Sequence, residues 1–211
     1  DSTDYNGGNY QDRYKVLAEI RKALEEGNRK KAKQLAEENL VGPNNAQYGR
    51  YLSFGDIFMV FNNQKKGLEN VTDYHRGLDI TEAITTTSYS QDGTTFKRET
   101  FSSYPDDVTV THLSKKGDKT LDFTLWNSLT EDLLANGDYS WEYSNYKQGA
   151  VTTDSHGILL KGTVKDNGLQ FASYLGIKTD GQVTAQDGYL TVTGASYATL
   201  LLSAKTNFAQ N

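Results

Sequence analysis

The chain has 211 residues, a formal net charge of −5, a pI near 5.2, no cysteine, 19 glycines and only 2 prolines. The acidic balance argues against a nucleic-acid partner, since phosphate binding needs a basic face, and the absence of thiols excludes disulfides, thiolate zinc sites and a cysteine nucleophile. Only 36% of residues are hydrophobic, but 14 Tyr and 8 Phe supply core material, and no apolar run reaches the roughly 20 residues of a spanning helix, so no membrane insertion is expected.

Residues 1–11 are polar and Gly/Asn-rich and read as a loop; Asp1-Ser2-Thr3-Asp4 lacks the charged-then-apolar pattern of a secretory leader. A helical hairpin is expected over 12–42. Tyr14, Leu17, Ile20 and Leu24 recur at helical spacing behind Asp12, a candidate N-cap. Gly27 is a natural stop, Asn28 can cap the second helix, and Gly42-Pro43 ends it. There Ala32, Leu35, Ala36 and Asn39 share a face, while alternating lysines and glutamates describe a solvated one.

From Tyr48 the period changes to two. Asp56 to Phe61 is apolar on both faces and reads as a central strand. Thr85–Ser90 and Thr94–Ser102 flank Asp92-Gly93, a hairpin turn because both residues tolerate positive φ. Phe96 and Phe101 are assigned to packing, and Arg98-Glu99 to a charge pair on the strand surface. Val108–Leu113 and Leu121–Trp126 follow across a turn at 117–119, with Leu121, Phe123 and Leu125 facing one way and Asp122 and Thr124 the other. Leu129–Leu134 suits a short helical or loop insertion. Further strands are read at 139–145, 158–164, 169–178, 183–186, 190–193 and 198–205, punctuated by Asn167-Gly168, Asp180-Gly181 and Asp187-Gly188. About ten short strands at this spacing imply a mainly β fold: one large antiparallel sandwich of the super-sandwich type, spanning 1–211, with the hairpin as an insertion and strands over 48–208.

Chemistry-bearing patterns are sparse. A glycosidase needs two carboxyl groups flanking the scissile bond, yet Asp106-Asp107 read as an exposed turn after Pro105, and Glu131-Asp132 as a polar connection. His75, His112 and His156 have no metal-ligand spacing, and His112 suits a satisfied, half-buried strand position. No Gly-x-Ser-x-Gly elbow or phosphate-cradling glycine loop occurs. No catalytic, cofactor-binding or metal-ligating residue is therefore nominated, and no cofactor is expected. Tyr139, Trp141 and Tyr143 share one face of an expected strand, with Tyr146 just beyond. Such a stripe serves sugar stacking, core packing or a domain interface, and all three readings stand.

Three blocks carry a family resemblance. The helical hairpin runs into Gly49-Arg50-Tyr51-Leu52-Ser53-Phe54-Gly55-Asp56-Ile57-Phe58-Met59-Val60-Phe61. The second block extends from Tyr74-His75-Arg76-Gly77-Leu78-Asp79-Ile80 to Phe101-Ser102-Ser103-Tyr104-Pro105-Asp106-Asp107-Val108. The third runs from Gly168-Leu169-Gln170-Phe171 through Gly194-Ala195 to Thr206-Asn207-Phe208. From about Tyr14 to Phe208 the chain resembles the N-terminal β-sandwich domain of glycoside hydrolase family 95, the α-L-fucosidases. His75-Arg76-Gly77 stands where the family has a more basic run, and Ser53-Phe54 where it has Pro-Leu.

The resemblance implies a larger parent enzyme. A helical (α/α)6 barrel in the same polypeptide would carry the catalytic carboxylates and hydrolyse terminal α-L-fucosyl linkages with inversion. This domain would brace that barrel, lack upstream strands and be inactive alone. Fucosylated glycans are the candidate ligands, and glycan scavenging suits a secreted or surface-bound bacterial enzyme, with a cytoplasmic location open. Two alternatives stand: a stand-alone carbohydrate-binding sandwich, and the N-terminal sandwich of another α-glycoside hydrolase or phosphorylase of the family 65 type.

Overall fold

The computed structural model describes residues 12–40, 53–61, 70–134, 147–165 and 168–208, with only the backbone at 131, 132 and 134. The chain divides into two compact units, Asp1–Tyr51 and Leu52–Asn211.

In the first unit a 3-10 turn, Arg13–Val16, leads into α1 (Leu17–Glu25), and α2 spans Arg29–Asn39. Gly27 ends α1 at φ 73. Its N–H donates to Leu24 O and the N–H of Asn28 donates to Ala23 O, the paired bonds of a Schellman cap. The Asn28 side chain then accepts from Lys31 N and caps α2. Asp12 differs from expectation. It is left-handed (φ 62), makes no side-chain cap bond, and its carboxylate lies 3.4 Å from Lys15 Nζ. Ile20, Ala23 and Ala32 form a small core with Val16, Leu17, Leu35 and Ala36. Tyr14 and Leu24 lie off that stripe and are exposed.

The second unit is a sandwich of two antiparallel sheets of unequal width. The smaller holds β1 (Ile57–Phe61), β6 (Leu121–Asn127), β11 (Tyr189–Ala195) and β10 (Gln182–Gln186), in that order. The larger runs β2 (Val71–Asp79), β3 (Ile84–Gln91), β4 (Thr94–Ser103), β5 (Val108–Lys116), β12 (Tyr197–Thr206), β9 (Gln170–Thr179), β8 (Gly157–Val164), β7 (Lys147–Asp154). This is the antiparallel sandwich expected from the strand spacing. The core lies between β6 and β11 on one side and β5, β12, β9 and β8 on the other. Phe123, Leu125, Ile158, Leu190, Val192 and Ala198 have no exposed surface there. At roughly 25 cal/mol per Å2 of apolar area, that burial is the main term holding the sheets together.

Several strands differ from the sequence reading. Among the described residues β1 is an edge strand: Ile57, Met59 and Phe61 pack inward, whereas Phe58 and Val60 are 44% and 51% exposed. Its second apolar face is on the outside of the sheet. β2 and β7, the two edges of the larger sheet, have no apolar alternation to betray them because neither face is fully buried. Phe101 faces outward and is 40% exposed, while Phe96 joins the core and stacks on Tyr89 at 5.4 Å. Glu99 pairs with Lys97 at 2.7 Å on its own face. Arg98 points to the opposite face because successive strand residues alternate. Leu129–Leu134 is a helix, α3. The strand expected at 139–145 lies outside the described residues.

One polar latch joins β1 to the end of β6. Gly55 sits at φ 94, and a Cβ there would lie 2.0 Å from Asn127 Oδ1. Asn127 is buried, accepts from Leu129 N at 2.9 Å and so caps the start of α3. Ser128 Oγ accepts from Asp56 N, and Ser128 N donates to Asp56 O, both at 2.9 Å. Gly93 is also left-handed (φ 78), but its surroundings are open. Gly55→Ala is therefore expected to destabilise the fold by about 3 kcal/mol, combining backbone strain with overpacking. Gly93→Ala is expected to lose only about 1 kcal/mol, and urea unfolding of the two variants measures the difference.

Candidate functional site

Among the described residues, the four strands of the smaller sheet leave part of the inner face of the larger sheet open beside β1. A cleft of about 860 Å3 lies there, bordered by Ile57 and Met59 and floored by β2–β5 and β12. A narrower extension of about 300 Å3 continues past Phe61 toward Tyr89, Phe96 and Leu113. Met59, Tyr74, Thr87 and Arg98 line both parts, so the two form one groove along the whole of β1.

The strand register places the polar groups. Arg76, Thr87, Arg98 and Leu113 form one cross-strand row, and Leu78, Thr85, Thr100, Thr111 and Leu200 the next. A bulge between Thr72 and His75, with Asp73 at φ 51, puts Tyr74, Arg76 and Leu78 on the groove side. Thr85 Oγ1 donates to Thr100 O at 3.2 Å, and the hydroxyls of Thr100 and Thr111 are 3.0 Å apart. Among the described residues, the lining contains Arg76, Lys97 and Arg98 but no carboxylate. The described lining therefore offers cationic and hydroxyl groups to whatever meets it.

A second feature lies on the outer face of the smaller sheet. Phe58, Trp126 and Tyr189 are direct cross-strand partners on β1, β6 and β11. Phe58 stacks on Trp126 at 5.1 Å and 21°, and Tyr189 meets Trp126 at 5.5 Å and 42°. The adjoining row is Val60, Thr124, Thr191 and Thr184. The alternation of β6 carried this signal: once Leu125 faces inward, Trp126 faces outward.

The nominated aromatics Tyr139, Trp141, Tyr143 and Tyr146 all lie outside the described residues. The histidines occupy separate elements. His112 Nδ1 is 2.9 Å from Thr199 Oγ1, half-buried as expected; His156 Nδ1 is 3.6 Å from Asp154 Oδ1 in an exposed turn; His75 is exposed on β2. Asp106 accepts from Ser103 Oγ at 2.5 Å, and Asp107 pairs with Lys205 at 2.9 Å, both in the exposed turn before β5. Among the described residues no group of three or more His, Asp or Glu is placed to hold a metal ion.

These unequal antiparallel sheets, packed over a core of buried apolar side chains, define a β-sandwich domain. The chain belongs to the family described as glycosyl hydrolase family 65, N-terminal domain, whose model matches residues 2–211. A curated relative, "Alpha-L-fucosidase 2" of Arabidopsis thaliana, is 27% identical over 205 residues, covering 92% of this chain and 24% of its own length. The chain thus spans about a quarter of that relative. Among solved structures, "Putative kojibiose phosphorylase from human microbiome" matches with TM-score 0.48 and 11% identity, over 72% of this chain and 22% of its own.

Asp180 carries the electrostatic feature of the loops. It sits between β9 and β10, and its Oδ1 accepts from Ser196 N at 2.8 Å and Tyr197 N at 3.2 Å. The Tyr197 N–H, then that of Ser196, holds its carboxyl below the ordinary 3.8. A depressed folded pKa contributes stability above the unfolded value and loses it as pH falls through the folded one. Asp180→Asn should therefore lower the urea midpoint by a constant amount from pH 5 to 8, with the difference shrinking below about pH 4.

Proposed function

We propose that this chain is the non-catalytic N-terminal sandwich of an α-L-fucosidase of the family 95 type. In this reading the parent hydrolyses terminal α-L-fucosyl linkages with inversion, and the sandwich braces a catalytic barrel in the same polypeptide. The observation that carries it is the 27% identity to the Arabidopsis protein over 92% of the chain. On this reading bond cleavage belongs to the barrel. Hydrolysis at the level of the parent polypeptide then takes its carboxyl pair from elsewhere.

The test is the gene read through with its flanking coding sequence and expressed entire. That protein should release L-fucose from an α-1,2-fucosylated oligosaccharide, and residues 1–211 alone should release none. Phosphate-dependent release of a sugar 1-phosphate from an α-glucobiose, without fucose release, would instead place the parent among phosphorylases of the family 65 type.

A second reading, carbohydrate binding by the domain itself, is favoured by the Phe58–Trp126–Tyr189 row. Aromatic faces stack on the C–H surfaces of sugars. On this reading residues 1–211 bind fucosylated glycans on an array, and Trp126→Ala weakens the binding about tenfold. A blank array, or equal binding by the variant, rejects it.

A further inference from the structure

We draw no further inference here: the strongest candidate, the apolar patch on the outer face of the larger sheet where Tyr174 packs over Gly157 and Gly176 beside the exposed Leu201 and Phe101, carries nothing because among the described residues nothing in the structure shows what covers it.

Discussion

The strict alternation of β6 is the constraint on which the second unit depends. Leu121, Phe123 and Leu125 turn inward with almost no exposure, and β6 lies between β1 and β11 as the spine of the smaller sheet. A slip of one residue would move these three side chains to solvent and bring Asp122, Thr124 and Trp126 into the core. Burying an unpaired carboxylate there would cost several kcal/mol. The register is therefore held by penalty as much as by gain. Asp122 adds a fixing contact at the far end, accepting from Gly194 N at 2.7 Å beside the irregularity of β11.

Both surface features follow from that one alternation. Its odd residues make the core, and its even residues make the outer row centred on Trp126. The inward set meets core side chains from β4, β5, β12, β9 and β8 of the larger sheet. Toward β2 and β3 the groove is lined by threonines and arginines instead. Phe96 and Leu113 belong to the core and also border the groove, so core and groove grade into one another across β4 and β5.

The parts legible in the sequence are those where local chemistry and tertiary burial agree. Asp92-Gly93 makes the β3–β4 turn with both residues at positive φ (49 and 78), the backbone this dipeptide favours. Gly27 and Asn28 terminate and cap helices with bonds formed within a few residues of chain. β1 was misread because Ile-Phe-Met-Val-Phe is apolar on both faces, and a sequence does not reveal whether the second face meets a neighbour or solvent. β2 and β7 were missed for the converse reason, since edge strands need no buried face. The Arg98-Glu99 pairing failed on geometry, as adjacent strand residues cannot share a side. The groove lies where the described strands of two sheets differ in number, a property of topology that no local pattern encodes.

Membership of the glycosyl hydrolase family 65 N-terminal domain family explains how the chain folds more directly than what it binds. A sandwich needs only period-two hydrophobicity, tight turns and compatible register, and many sequences meet those terms. Polar side chains held on an inward face are harder to account for by folding alone. Threonine suits a strand anywhere, so Thr85, Thr100 and Thr111 fit either purpose. Arginine is more particular, but Arg76 is exposed and Arg98 only half-buried, so both guanidinium groups keep water. Arg76 and Arg98 give that face of the sandwich its positive character, while the inward leucines and phenylalanines of the neighbouring strands account for its folding.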